Sequence, residues 1–183
     1  MNYSAHFELL QTERLLLRRP SVTDLEAVVT IHGDPETNRF NPRGPSSPEQ
    51  CRLLLDVWQE HWQCHGFGYW AVSSRTHPSE VIGFGGVVLK EVAGQSCLNL
   101  YFRFCPPCWG LGYATELGRT SLRLAFHALK RDRVRALVRI SNSPSRKALE
   151  RLGMTAVGQY SDGPSSEGSL IYEAMRPLPE NAA

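Results

Sequence analysis

The feature that most constrains the fold of this chain is a change in its hydrophobic pattern at Phe104. Before this point, three runs rich in aromatic and β-branched residues follow one another at 69–72, 81–89 and 97–104. Their connections are short, which favours antiparallel hairpins. After it, helix-like and strand-like segments alternate, which favours a parallel crossover. The sequence therefore predicts a mixed α/β fold with a mostly antiparallel central sheet.

The second half of the chain supplies the alternating segments. Apolar residues at helical spacing predict a helix over 111–128, and a strand follows at 134–140. Ser143-Pro144 opens another helix, for which Gly153 is a natural stop. Two further strands are predicted at 156–160 and 170–175. These helices would flank the sheet.

The first half begins with a predicted strand at 13–18, and two helices follow it. Ser21 and Asp24 have the spacing of a capping box, which predicts a helix that ends near His32. Ser47 and Pro48 mark the start of a second helix. We expect the buried stripe of this second helix to consist of Leu53, Leu54, Val57, His61 and Trp62.

Composition limits the class of protein. The chain has 183 residues, 42% of them hydrophobic and 21% charged, and we expect one domain over 1–183. A formal net charge of +2 does not favour nucleic acid as a partner. No apolar stretch is long enough for a membrane span and no signal peptide is recognisable, so the predicted location is cytoplasmic. Five cysteines, an odd number, fit reduced thiols better than a disulfide framework.

One segment predicts chemistry: Phe102-Arg-Phe-Cys-Pro-Pro-Cys-Trp-Gly-Leu-Gly-Tyr-Ala114, a strand, a loop with two glycines and the start of a helix. Gly110 and Gly112 allow the backbone to approach a ligand, and free amides at a helix N-terminus suit a phosphate or pyrophosphate. A dinucleotide-binding fingerprint would need a third glycine, where Thr115 and Glu116 stand instead. No Gly-Lys-Ser/Thr follows, so a P-loop is also absent.

Four segments together resemble the GNAT superfamily of N-acetyltransferases, and within it the group typified by RimJ and RimL. They are Thr12-Glu-Arg-Leu15, the loop and helix from Trp109 to Glu116, Asn142 with Ser145, and Leu149-Glu-Arg-Leu-Gly153. All occur in the family's order, and the resemblance extends from about residue 12 to 176. It implies the GNAT arrangement, in which a splayed parallel pair of strands interrupts an otherwise antiparallel sheet.

The resemblance implies transfer of an acetyl group from acetyl-coenzyme A to a primary amine by direct attack, with no acyl-enzyme. The acceptor would be a protein N-terminus or a small-molecule amine. Coenzyme A would be held by one set of residues: Phe102, Phe104, Trp109, Gly110, Leu111, Gly112, Tyr113, Ala114, Asn142 and Ser145. No metal is expected, and the protein would be a monomer or a homodimer.

The sequence departs from the family pattern at catalytic positions. Pro107 stands where the loop usually begins with a side-chain donor, and Leu149 stands where many members carry a tyrosine acid. The resemblance implies Ser145 as the group that assists the departing thiolate. Asn99 occupies the place of a frequent glutamate base, but an amide does not accept a proton at neutral pH. The general base is therefore not identified, and Glu116 is interpreted as a partner of the helix dipole.

Two other functions remain open from the sequence. The missing acid and base are compatible with a non-catalytic acyl-coenzyme A-binding module. Cys105 and Cys108 form a Cys-x-x-Cys pair that is compatible with a dithiol redox protein or half of a zinc site. The acceptor loops at 38–47 and 160–167 carry no readable specificity signal.

Overall fold

The computed structural model describes residues 7–92, 94–161 and 168–177. The strands are β1 Leu9–Gln11, β2 Leu15–Arg18, β3 Tyr69–Ser74, β4 His77–Val92, β5 Gln95–Phe104, β6 Arg133–Arg139, β7 Thr155–Tyr160 and β8 Ser169–Met175. The helices are α1 Leu25–His32, α2 Pro48–His65, α3 Tyr113–Arg123 and α4 Ser143–Arg151. Only β1 had no counterpart among the predicted elements.

The strands form one sheet in the order β1-β2-β3-β4-β5-β6-β8-β7. Every neighbouring pair is antiparallel except β5 and β6, which are parallel. Helix α3 connects this parallel pair, as a crossover must. The predicted mixed α/β fold, with a mostly antiparallel sheet and one parallel pair, is confirmed.

The parallel pair is joined over a very short distance. Leu98 pairs with Val134 and Asn99 with Arg135, and the two strands have no further registered pairs. Beyond these positions β5 continues to Phe104 along β4, while β6 continues to Arg139 along β8. The two strands therefore separate, and the gap between them is open at the ends that follow Asn99 and Arg135.

Apolar side chains cover the sheet in two main clusters. The larger one packs α3 against β5 and β6 and includes Leu98, Leu117 and Val134. The second packs α1 and α2 against β3 and β4 and includes Trp58 and Phe84. Because side chains alternate along a strand, β5 contributes to both clusters and supports both sides of the gap.

Helix α2 begins as predicted, but its buried face differs from the prediction. Ser47 accepts a hydrogen bond from the amide of Gln50, and Pro48 is the first helical residue. Leu53 and Val57, predicted to be buried, are each 60% exposed. The buried residues of the helix are Cys51, Leu55, Trp58 and Trp62. Their spacing of four, three and four residues places both tryptophans on one face of the helix. Burying these two large aromatic side chains is more favourable than burying Leu53 and Val57 instead.

The helix after the glycine loop is shorter and less regular than predicted. Helix α3 begins at Tyr113, two residues later than expected, and ends at Arg123; a π-helical turn, Leu124–Ala128, follows it directly. In the described part of the chain, no helix combines the length and the apolar character that a membrane span requires.

Candidate active site

A cleft of about 590 Å³ lies where β5 and β6 separate. Its walls come from the end of β5, the glycine loop, the start of α3, the second half of β6, the start of α4 and the segment 36–42 after α1. This volume is within the usual range for a small-molecule site. We call Phe102 together with residues 104–114 the cofactor wall, and the segment 36–42 together with Tyr101 and Arg103 the acceptor wall.

The backbone of β5 presents a free edge to the cleft. The amide of Cys105 donates to Ile82 O on β4 at 2.9 Å. Peptide groups alternate in direction along an antiparallel strand, so those of Phe102 and Phe104 face the gap instead of β4. The indole of Trp109 donates to Phe104 O at 2.8 Å, which already occupies that carbonyl. Phe102 therefore offers the more available backbone edge for an extended ligand.

The glycine loop ends at a helix N-terminus that points into the same cleft. Gly110 and Gly112 have φ values of +77° and +81°, a region that other residues enter only with strain. The first hydrogen bond of α3 runs from the amide of Glu116 to Gly112 O at 3.1 Å. The amides that precede it, from Tyr113 to Thr115, have no carbonyl of the helix to bind. This geometry suits a phosphate or pyrophosphate group.

Glu116 fastens the start of α3 to the N-terminal strands. Its carboxylate accepts hydrogen bonds from Thr12 Oγ1 at 2.5 Å, Arg14 N at 2.8 Å and Arg14 Nε at 2.7 Å. Arg14 also donates to Leu111 O at 2.8 Å and stacks over the ring of Tyr113. Burial opposes the charge of Glu116, but these hydrogen bonds outweigh it and lower the pKa of its carboxyl below the ordinary 4.5. Glu116 thus shapes the loop from behind.

The N-terminus of α4 faces α3 across the cleft. Asn142 is the N-cap of α4, and its Oδ1 accepts from the amide of Ser145 at 3.2 Å. Ser145 is half-buried and lines the cleft. Within 7–92, 94–161 and 168–177, the Ser145 hydroxyl has no hydrogen-bond partner. It is therefore available to a ligand.

A chain of buried polar side chains stands behind the acceptor wall. His32 Nε2 lies 3.0 Å from the Tyr101 hydroxyl, and His32 Nδ1 lies 3.3 Å from Val28 O. A carbonyl only accepts, so Nδ1 carries the proton and the Tyr101 hydroxyl donates to Nε2. Arg103 donates to Oδ1 of Asn38 at 2.6 Å, and its charge acts on the neighbouring Tyr101 hydroxyl. These contacts fix Tyr101 and Arg103 on the cleft side of the chain.

Burial and charge make the members of this chain weak acids and weak bases. Burial, with the nearby charge of Arg103, lowers the pKa of His32 to about 3. Burial also raises the pKa of Tyr101 above its ordinary value, although Arg103 opposes this. Both groups are therefore neutral at pH 7, and His32 is too weak a base to keep a proton from an ammonium group there.

Cys105 and Cys108 lie at the end of β5, with their Sγ atoms 3.3 Å apart. Burial and the neighbouring Cys105 raise the pKa of the Cys108 thiol to about 12. A thiol with so high a pKa is protonated at pH 7, whereas a metal ligand or nucleophile acts as the thiolate. Nowhere in the described ranges do three or more His, Cys, Asp or Glu side chains form a group that could hold a metal ion.

Most of the residues that form this cleft lie in a part of the sequence that matches a protein-family profile. The profile of the Acetyltransferase (GNAT) domain matches residues 14–155, which include β2, β5, the glycine loop, α3 and α4. The chain belongs to the GNAT acetyltransferase family. Proteins of this family are N-acetyltransferases that use acetyl-coenzyme A.

Individual relatives agree with this membership. The chain is 27% identical to the uncharacterised N-acetyltransferase p20 of Bacillus licheniformis, over 90% of this chain and 92% of that protein. A GNAT-family acetyltransferase structure from Bacillus anthracis superposes with a TM-score of 0.75 at 22% identity, covering 92% of this chain and 98% of the other. Spermidine N-acetyltransferase from Vibrio cholerae, solved with coenzyme A and spermine, gives 0.70 at 14% identity, with coverage of 90% and 97%. At these identities the structural matches show the fold.

Most of the residues that the sequence pointed to line this GNAT cleft. They are Phe102, Phe104, Trp109, Gly110, Gly112, Tyr113, Ala114, Asn142 and Ser145. Leu111 is not among the lining residues; its side chain is 51% exposed. Asn99 is also not among them; it is 5% exposed and donates to the Tyr69 hydroxyl at 3.3 Å. The roles of all these predicted site residues remain predictions, and the position of Asn99 favours a role in the core.

Sequence reasoning missed the side chains that support the two walls. Arg14, His32 and Asn38 received no functional role, and Arg103 was noted only as part of the β5 segment. Each acts through a partner far away in sequence, 102 residues for Arg14 and Glu116 and 65 for Asn38 and Arg103. One acceptor loop that the sequence suggested lies partly outside the described residues, at 162–167.

Proposed function

We propose that this protein transfers the acetyl group of acetyl-coenzyme A to a primary amine, which attacks directly in a ternary complex. The observation that carries the proposal is the separation of β5 from β6 beside the N-terminus of α3. A free strand edge and a set of free helix amides are brought to one cleft. The free strand edge suits an arm rich in amides, such as pantetheine, and the free helix amides suit a pyrophosphate.

The cofactor wall fits coenzyme A in its shape and its donors. In the proposed arrangement the pantetheine arm pairs with the backbone of Phe102, and the pyrophosphate binds the amides from Gly110 to Ala114. Space at Gly110 supports this, since no atom lies within 4 Å of the place where a Cβ would stand. When bound, acetyl-coenzyme A supplies an activated acyl group, and the protein supplies position and donors.

Ser145 is the residue to which we assign assistance of the leaving thiolate. Its half-buried position, its free hydroxyl and its place on the cleft lining support this assignment. A hydroxyl there would donate a hydrogen bond to the sulfur, directly or through water. We assign no catalytic contact to Asn99, because its side chain is buried away from the cleft lining.

Among the residues that the structure describes, no side chain near the acceptor wall is placed to take a proton from the amine. His32, the nearest imidazole to the wall, has a pKa of about 3 and is shielded by Tyr101. We therefore propose that the attacking amine loses its proton to solvent through the open cleft. The absence of a positioned base also motivates the alternative of an acyl-coenzyme A-binding module without turnover.

We further propose that the chain belongs to the RimJ/RimL-like group and that 1–183 forms one GNAT domain. The role of Thr12 and Arg14 supports the first proposal, because these residues of the Thr-Glu-Arg-Leu segment fasten Glu116 and so shape the glycine loop. A protein N-terminus and a small-molecule amine both remain within the proposed acceptor class.

Two measurements on the purified protein test the proposed function. Calorimetric titration should detect binding of acetyl-coenzyme A, and a thiol-release assay with a panel of amines should detect turnover. The panel contains amino acids, peptides with free N-termini, polyamines and aminoglycosides. Binding with turnover on at least one amine supports the proposal; binding with none favours the non-catalytic module. No binding of acetyl-coenzyme A would overturn both.

A further inference from the structure

The acceptor wall contains a cation without a counterion. Arg103 is half-buried, lines the cleft and is held by Asn38, whose own side chain is 2% exposed. Among the residues that the structure describes, no carboxylate lies within ion-pair distance of Arg103. Withdrawing a guanidinium from water without an anionic partner is unfavourable, so a partner from outside would gain from binding here.

The other arginines next to the glycine loop differ from Arg103 in this respect. Arg14 pairs with Glu116 at 2.7 Å, and Arg39 pairs with Glu36 at 2.7 Å. Arg39 also stacks over the ring of Trp109, with its Cζ 5.2 Å from the ring centre. Glu36 is the one carboxylate among the described lining residues, and Arg39 already neutralises it. The acceptor wall therefore offers no free acid to a polycation.

The surroundings of Arg103 keep its charge directed into the cleft. Its guanidinium donates to Asn38 Oδ1, and its charge acts on the nearby Tyr101 hydroxyl. Arg103 is also the charged group that acts on the pKa values of His32, Tyr101 and Cys51 alike. Arg103 therefore makes this part of the cleft electropositive.

Position relates this charge to the acceptor and not to coenzyme A. Side chains alternate along β5, so Tyr101 and Arg103 lie on the face that carries α1 and α2. The α3 amides that suit the pyrophosphate lie beyond the other face, where Leu117 of α3 packs against Leu98 and Leu100. Arg103 lines the same cleft as the segment 36–42, on the side away from α3.

We infer that the acceptor amine carries a carboxylate, which binds the guanidinium of Arg103 while the amine reaches the thioester. This inference rests on the proposed function and names the substrate class for that site. A planar guanidinium presents paired donors that match a carboxylate. An amino acid and a peptide with an acidic residue near its N-terminus share this chemistry. A polyamine does not.

Matched pairs of acceptors test the inference without any mutation. Amino acids are compared with their α-carboxamides, and C-terminally amidated peptides that begin with Glu are compared with the same peptides beginning with Gln. Spermidine serves as the cationic acceptor that lacks a carboxylate. We expect kcat/KM to be higher by about tenfold or more for the carboxylate member of at least one pair. The pair that shows the difference tells a free amino acid from a peptide. Equal rates within every pair, or preference for spermidine, would overturn the inference.

Variants locate the preference at one residue. Arg103→Met should abolish the difference within a pair and change the KM for acetyl-coenzyme A by less than about twofold, since the cofactor wall is untouched. Arg103→Lys, which keeps the charge but not the paired donors, should retain part of the preference. Arg52→Met is the matched control, because Arg52 is exposed on α2 and absent from the cleft lining, and it should behave as wild type. Full preference in Arg103→Met would contradict the assignment.

A binding measurement separates failure of this inference from failure of the proposed function. The same acceptor pairs are titrated calorimetrically into protein saturated with coenzyme A. Tighter binding of the carboxylate member, lost in Arg103→Met, supports the Arg103 site even if no amine is acetylated. Equal binding within each pair overturns the site even if acetylation proceeds. Failure of coenzyme A itself to bind contradicts the proposed function, and the pairs are then compared on the unliganded protein by the same criterion.

Discussion

The two walls of the cleft are built in different ways. The cofactor wall is a local segment, a strand end, a loop with two left-handed glycines and a helix start, and its donors are backbone amides. The acceptor wall is assembled from α1, the segment after it and β5, and its functional groups are the side chains of Tyr101 and Arg103. Backbone donors suit a cosubstrate that never changes, whereas side chains allow the acceptor to differ between relatives of one fold.

The two walls also differ in how they are held. Glu116 and Arg14 tie the cofactor wall to the N-terminal strands through a partly exposed ion pair, with side-chain exposures of 13% and 44%. The acceptor wall depends on His32 and Asn38, which are 3% and 2% exposed. His32 bonds the Tyr101 hydroxyl, and Asn38 bonds His32 O and Arg103. Loss of one partner should therefore be tolerated better behind the cofactor wall.

The largest effect is expected at Ser145, which lies between the two walls. Ser145→Ala should lower kcat by roughly 10- to 100-fold, because the leaving thiolate loses its donor. Acetyl-coenzyme A affinity should change much less. Thiol-release kinetics and calorimetry measure the two quantities, and Ser79→Ala, at an exposed position on β4 outside the cleft lining, is the control. Wild-type turnover in Ser145→Ala would reduce this residue to part of the α4 cap.

A change confined to the cofactor wall should act on the cofactor alone. Gly112→Val places a branched side chain at a φ of +81°, with its Cβ 3.4 Å from Arg14 Nη2. We expect coenzyme A affinity to fall about tenfold, or 1.4 kcal/mol. Gly94→Val is the matched control: it has a φ of +73° and open space around it, on the β4–β5 turn. Equal coenzyme A affinity in folded Gly112→Val and wild type would refute the assignment of the loop.

Removing the fastening behind the cofactor wall should have a smaller effect. Glu116→Gln keeps an acceptor but loses the charge that faces Arg14, so we expect about threefold weaker coenzyme A binding and about 0.5–1 kcal/mol lower stability. Tyr101→Phe removes one hydrogen bond from the acceptor wall and should leave coenzyme A affinity unchanged. Equal weakening of coenzyme A binding in both variants would contradict the claim that only the cofactor wall supports coenzyme A.

The pH dependence of this stabilisation follows from the lowered pKa of Glu116. A carboxyl whose pKa is lower in the folded than in the unfolded protein stabilises the fold above its unfolded value, near 4.5. That contribution disappears as the pH falls through the folded pKa. Chemical denaturation between pH 7 and pH 3 should therefore show a smaller loss of stability for Glu116→Gln than for wild type. An identical pH profile would contradict the role of the carboxylate.

The cysteine pair should have the smallest effect. The double variant Cys105→Ser/Cys108→Ser should have the fold and the metal content of the wild type and should retain most acetyl transfer. The reason is that the Cys108 thiol has a pKa of about 12 and is protonated at pH 7. Elemental analysis of the wild type and assays with and without a reductant provide the comparison. Stoichiometric zinc, or loss of activity that follows thiol oxidation, would show that the pair is functional.

The cofactor wall was accessible to sequence reasoning because its determinants are contiguous. The two glycines and the helix start are recognisable within a window of a few residues, as is the change of pattern at Phe104. The acceptor wall was not, because the Tyr101–His32 and Arg103–Asn38 contacts join segments 69 and 65 residues apart. The predicted stripe of α2 was correct at Trp62 but wrong at Leu53 and Val57, because the helix has two apolar faces and packing of Trp58 against Phe84 selects one of them.

Rapid mixing of the protein with acetyl-coenzyme A, first alone and then with a carboxylate-bearing amine, measures the proposed transfer most directly. The readout is thiol release on the time scale of one turnover. Direct attack in a ternary complex predicts no release without the amine, and release in proportion to acetylated amine once it is present. A burst of thiol equal to the protein concentration, with acetyl-coenzyme A alone, would reveal an acyl-enzyme and contradict the account.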